Sequence, residues 1–197
     1  MTKQGLTRSD IMDMPTYEKL RAEKRQEVVA LKRDRRVGVG PYATFYFECY
    51  DTMWWQVHEM LRIEKGGEEQ IADELAAYNP LIPKGNELVA TVMFEIDDPD
   101  RRKNFLAKLG GVEETVFLKF GAMEVKGKAE ADVDRTAADG KASSVHYIHF
   151  PFTAEQKAAF SKPGTQVTLG FSHPSYGHMA ILPENVRAAL AKDFAQT

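Results

Sequence analysis

Thr44–Lys65 reads TFYFECYDTMWWQVHEMLRIEK, and its two halves have different periods. In the first half Phe45, Phe47 and Cys49 alternate with Thr44, Tyr46, Glu48 and Tyr50. Strand side chains point alternately to opposite faces, so this is a β-strand with one apolar face. In the second half Met53, Trp54, Val57, Met60 and Leu61 form one apolar arc at helical spacing. Asp51 is the expected cap, because its side-chain oxygen accepts from a free backbone N–H. Gly66 and Gly67 are expected to end the helix, since glycine takes the left-handed cap conformation without a Cβ penalty. The stretch also carries both tryptophans and the only cysteine.

Trp55 and Ile63 lie outside the arc, and a helix apolar on most sides is expected to be buried on most sides. Its polar residues then become informative. Glu64 falls inside the arc, Glu59 and Arg62 are three apart and close enough to pair, and Glu48 points toward the same region from the strand. Buried charge is costly unless it is paired, hydrogen-bonded or metal-bound. Glu48, Gln56, Glu59, Arg62 and Glu64 are therefore expected to form a buried polar cluster. The plainer alternative is an exposed Glu59–Arg62 pair with Glu64 at a frayed end.

The remaining chain sets the fold class around this unit. With 197 residues it is long enough to bury a core without staples. Hydrophobic content of 43% and charged content of 28% suit an ordinary globular chain. A net charge of −3 argues against a dedicated nucleic-acid binder, which is usually basic. One cysteine makes no intramolecular disulfide and fits a reducing compartment. The N-terminus has no secretory apolar region, and no run reaches the length of a membrane span. A cytoplasmic protein is expected.

Residues 1–10 are polar and expected to be loose. A charged helix from Thr16 to Lys32 carries a narrow apolar stripe of Tyr17, Leu20, Val28 and Leu31, which places it on the surface or against a partner. The basic run KRDRR at 32–36 reads as a solvated helix end; phosphate or nucleic-acid contact is the weaker reading. VGVGPY at 37–42 lacks the further residues of a dinucleotide loop or P-loop and reads as a turn or short strand. A helix over Glu68–Tyr78 stops at Asn79-Pro80. Strands are expected over Leu88–Ile96, Thr115–Phe120, Ala122–Lys128, Ser144–Phe150 and Thr165–Phe171. Helices are expected over Asp100–Leu109, from Thr153 through Phe160, and over Glu184–Phe194. Glu130–Ala142 reads as a mobile loop. Two segments share one plan: strand, capped short helix, glycine turn, strand. The expectation is one α+β domain over 1–197. Residues 1–80 are mainly helical with one strand, and 86–197 form a mostly antiparallel, sheet-rich part.

Of the five histidines, His146 and His149 are three apart on a strand and face opposite sides. His173 and His178 flank a proline- and glycine-containing turn, which can bring two imidazoles together. With a carboxylate such as Glu59 or Glu64 they would make a non-haem metal site. The alternative is a pair of turn histidines hydrogen-bonded to backbone or tyrosine. Cys49 reads as a buried, inert thiol, and no nucleophile elbow is present near Ser143-Ser144.

The segments YFECYDTMWWQVHEMLRIEK (46–65), ELAAYNPLIPKGN (74–86), SSVHYIHF (143–150) and HPSY (173–176), in that order, resemble a bacterial family known as domain of unknown function 3501. The resemblance covers nearly the whole chain and brings no agreed activity. It implies a genomic association with rubrerythrin-like and iron–sulfur oxidoreductase proteins, hence redox or peroxide stress. It also implies an acid after the second histidine of the turn, where this chain has Met179. Two functions are open on this reading. One is an accessory or binding protein that meets a rubrerythrin-like or iron–sulfur partner. The other is a metal-dependent redox enzyme using His173, His178 and a central-helix carboxylate around a non-haem metal ion.

Overall fold

The computed structural model describes residues 3–130 and 140–194. Helix α1 (Met14–Arg33) starts where the Asp13 side chain accepts from the Thr16 N–H, with Pro15 in the first turn. The chain then forms a hairpin of β1 (Arg36–Val39) and β2 (Ala43–Phe47). From β2 it passes directly into α2 (Tyr50–Glu64) and then α3 (Gly67–Tyr78). Proline in the following turn, Asn79–Leu81, ends the helical part as expected.

The strand–helix unit departs from expectation at its joints. The strand stops at Phe47, and Cys49, rather than Asp51, is the cap residue of α2. Thr52 turns back so that its hydroxyl accepts from the Cys49 N–H at 2.9 Å, which leaves Asp51 exposed in the first turn. At the other end Lys65, not a glycine, takes the left-handed conformation, with φ of 57°. Residues 3–11 are also tied down. Leu6 and Ile11 are buried, and the Asn79 side chain both accepts from and donates to the Leu6 backbone.

The later elements are β3 (Glu87–Phe94), α4 (Pro99–Leu106), β4 (Val116–Phe120), β5 (Met123–Lys126) and β6 (Lys128–Ala129). They are followed by β7 (Val145–Pro151), α5 (Ala154–Ser161), β8 (Thr168–Phe171), β9 (Met179–Ile181) and α6 (Glu184–Leu190). The stretch expected as one strand over Ala122–Lys128 is split, with β5 in one sheet and β6 in the other. Most of the expected loop at 130–142 lies outside the described residues.

The strands form two antiparallel sheets. The first has the order β1-β2-β3-β7-β6, the second β5-β4-β8-β9. This is the expected α+β class. Between the sheets lies the larger core, to which Phe45, Phe47, Leu88, Ala90, Val92 and Phe94 contribute from the first sheet and Leu118, Leu169 and Phe171 from the second. Each fully buried Val, Leu or Phe side chain among them contributes about 1.5–3 kcal/mol. A smaller core lies on the other face of the first sheet, where Val89 meets Met53, Val57 and Leu61 of α2, Ile71 of α3, and Leu6 and Ile11. Strand alternation thus makes β3 a shared wall of two cores.

The repeated plan has a spatial counterpart. β3 leaves the first sheet through α4 and enters the second as β4; β7 leaves through α5 and enters as β8. β3 pairs antiparallel with β7, and β4 with β8. Asp98 and Thr153 cap the two helices through the same contact, a side-chain oxygen accepting from the N–H three residues on. Both turns pass through a left-handed glycine, Gly111 at φ 77° and Gly164 at φ 78°, where a side chain would be strained. Among the described residues no helix is long and apolar enough to cross a membrane.

Candidate functional site

The five residues expected as one polar cluster occupy separate places. α2 rests one side on the smaller core, and α1 covers the neighbouring side. On that side Glu59 accepts from the Tyr17 hydroxyl and from two nitrogens of Arg21, each at 2.8 Å. The Arg21 hydrogen bonds hold the Glu59 carboxyl below its ordinary range. Arg62 reaches Glu18 of α1 at 2.7 Å. Glu59 and Arg62 therefore each pair across to α1, and the expected pairing between them does not form. Glu64 is exposed and accepts from Gln70, and Ile63 is 64% exposed. The expectation that α2 is buried on most sides fails at this end.

Glu48 and Gln56 do come together, on the outer face of the first sheet. Thr91 and Met93 of β3 lie on that face, as do Val145 and Tyr147 of β7 and Tyr46 of β2. α2, the end of α3 and the end of α1 leave part of it uncovered, making a cavity of about 430 Å³. Glu48, Met53 and Gln56 line one side, Tyr78 and Leu81 another, and Lys32 the end of α1. Glu48 is 7% exposed. One carboxylate oxygen accepts from the Thr52 hydroxyl and the other from the Thr91 hydroxyl, each at 2.7 Å. The Gln56 amide stands 3.5 Å from the Tyr78 hydroxyl. Among the described residues Glu48 has no ion-pair partner within 4 Å, and the Lys32 ammonium makes neither a hydrogen bond nor an ion pair.

Behind Glu48 sits a group that the sequence reading placed in a solvated run. Arg35 is 4% exposed. It donates to the carbonyls of Phe47 and Glu48, each at 2.9 Å, and forms an ion pair with Asp193. Burial is the strongest single influence on Arg35 and opposes its charge, but Asp193, with Cys49 and Glu48 adding to it, more than offsets burial and raises its pKa. Burial pushes the Asp193 carboxyl up and the guanidinium opposes it; with Arg35 always charged, the two form an ion pair. The pair clamps the β2–α2 junction to the turn after α6. Burial raises the Cys49 thiol, with Arg35 opposing, so the cysteine stays a thiol.

Among the described residues His173 and His178 are not grouped with a carboxylate of α2. The His173 Nδ1 accepts from the Ser175 N–H at 3.1 Å, and its Nε2 faces the Gly110 carbonyl at 3.3 Å. His178 packs edge-on against Tyr176 and over Gly40, where a Cβ would lie 2.6 Å from the imidazole. The turn is organised by Tyr176, which donates to the Val39 carbonyl and accepts from the N–H groups of Tyr42 and Ala43. Among the described residues no group of three or more His, Cys, Asp or Glu is placed to hold a metal ion. His146 and His149 face opposite sides: His146 is buried against Phe94, and His149 pairs with Glu87 at 2.9 Å.

The residues missed in the sequence are the site's walls and its support. Tyr46 and Tyr78 were legible only as members of a strand and a helix, and Arg35 as one charge in a basic run. Asp193 carried no signal at all, being 158 positions from Arg35.

The chain is thus an α+β protein with a carboxylate-floored cleft on one sheet. The chain belongs to the family of proteins of unknown function DUF3501, whose model matches residues 5–194. It is similar to a solved structure, a novel protein of unknown function from Burkholderia pseudomallei K96243. The two are 36% identical, with a TM-score of 0.89, over 99% of this chain and 100% of that one. A comparison with curated proteins found no match.

Proposed function

We propose that this protein is a binding protein that holds a small organic molecule in the cleft over the first sheet. One observation carries the reading: a buried carboxylate, Glu48, oriented by two hydroxyls and opening onto a preformed cavity of about 430 Å³. Ligand sites are commonly concave, largely apolar and furnished with a few fixed polar groups. Tyr46, Tyr78, Met53 and Met93 supply the apolar and aromatic wall, and Glu48 and Gln56 the polar groups. A rubrerythrin-like or iron–sulfur partner and a redox setting belong to this reading through the family resemblance alone, and a cytoplasmic location through the single cysteine.

The test uses the full chain labelled at its methionine methyl groups. Pools of small metabolites, sorted by charge, are added in turn. The expected result is that one pool shifts the Met53 and Met93 resonances and leaves methionines outside the cleft unmoved. Val145→Trp, which fills the cavity from its strand, removes those shifts. Silence from every pool overturns the reading.

A further inference from the structure

The cleft contains two ionic side chains of opposite sign that do not meet. Glu48 is the only anion among its lining residues and Lys32 the only cation. No ion pair joins them, nor does either find another partner of opposite charge within 4 Å among the described residues. Arg35 does not serve Glu48 in this way. Its donors go to Asp193 and to two backbone carbonyls. Asp193 takes the ion pair with Arg35, and Glu48 keeps its own charge without one.

That imbalance sets what the cleft attracts. Coulomb attraction grows as water is excluded, so Glu48 favours a cation that enters beside it. Tyrosine faces attract cations as well, and Tyr46 and Tyr78 stand in the wall. Lys32 at the end of α1 is half-buried and equally lacks its counter-charge. A ligand bearing only an amine would leave Lys32 beside a like charge. A ligand bearing only an acid would meet Glu48.

We infer that the cleft takes a zwitterionic small molecule, an amino-carboxylic acid whose ammonium meets Glu48 and whose carboxylate meets Lys32, with the tyrosine and methionine wall against its carbon chain. This rests on the reading of the cleft as a ligand site. The assigned chemistry is recognition only; no bond is made or broken.

Calorimetry on the full chain compares three probes of equal length: 6-aminohexanoate, hexylamine and hexanoate. The expected result is that the amino acid binds at least about tenfold more tightly than either single-charge analogue. Glu48→Gln should weaken the amino acid and the amine together by about tenfold or more and leave hexanoate no weaker. Lys32→Met should erase the advantage of the amino acid over the amine. Equal affinity for all three probes, preference for hexanoate, or no binding of any of them overturns the inference. The wild-type comparison alone decides it, whether or not a variant folds. If an anionic or neutral pool still shifts Met53 and Met93, the cleft remains a ligand site and only the zwitterion is lost.

Discussion

Arg35 has to remain charged in a place that is almost dry, and its surroundings are arranged around that need. Two carbonyls and one carboxylate take up its Nε and Nη2 donors. Removing one partner of a buried ion pair is far more damaging than replacing both by apolar groups, because the survivor is left desolvated. Arg35→Met should therefore cost about 3–5 kcal/mol in urea unfolding, and Arg35→Met with Asp193→Leu should recover a good part of it. A single variant as stable as the wild type would show that the clamp at the β2–α2 junction contributes nothing. His149 gives a second prediction, in pH. Its hydrogen bond to Glu87, with Glu130 nearby, raises its pKa above the ordinary 6.5. Stability from this pair is fully present below the unfolded value and is lost as pH rises through the higher folded value. The difference in stability between wild type and Glu87→Gln should accordingly shrink as pH rises from below 6.5 through the raised folded value. A difference that does not change with pH would remove the His149–Glu87 pair from the account.

At the scale of the element, α2 shows what periodicity can and cannot decide. The apolar arc was readable, and Met53, Val57 and Leu61 occupy the core as their spacing demands. The destinations of Glu59 and Arg62 were not readable, because spacing along one helix says nothing about a second helix lying beside it. α1 supplied both partners. The same limit hid Arg35, whose neighbours in sequence are partly or fully exposed and whose own partner lies at the far end of the chain. Glu48 and Gln56 were recoverable because strand alternation and the strand–helix junction place them on one face without any distant contact. The end of α2 yields a prediction of its own. Lys65 holds a left-handed conformation that costs a non-glycine residue about 1–2 kcal/mol. Lys65→Gly removes that strain but adds freedom to the unfolded chain, so a net gain of roughly 0.5–1 kcal/mol is expected. Thermal unfolding reads it directly, and a loss of stability would mean that Lys65 makes compensating contacts.

On the scale of the whole molecule, the two crossovers explain why one sheet can serve two cores. β3 and β7 are both central in the first sheet, and each sends its chain through a capped helix into the centre of the second. The inward residues of β3 close the core between the sheets, while Val89 and Thr91 face the helices and the cleft. Neither core is complete without that strand, so the helical layer and the second sheet should unfold together, as one domain. The chain carries a convenient reporter, since both tryptophans lie on α2 and none on the second sheet. Leu118 lies on β4 of the second sheet, wholly buried in the larger core and outside the smaller core beneath α2. Leu118→Ala should cost about 2–5 kcal/mol. Its effect should appear in full in tryptophan fluorescence as well as in circular dichroism, with the two denaturation curves superimposed. If the fluorescence midpoint stayed in place while the dichroism midpoint fell, the helical layer would be folding on its own. The cleft, framed by both α2 and the sheet, would then depend on an interface and not on a shared core.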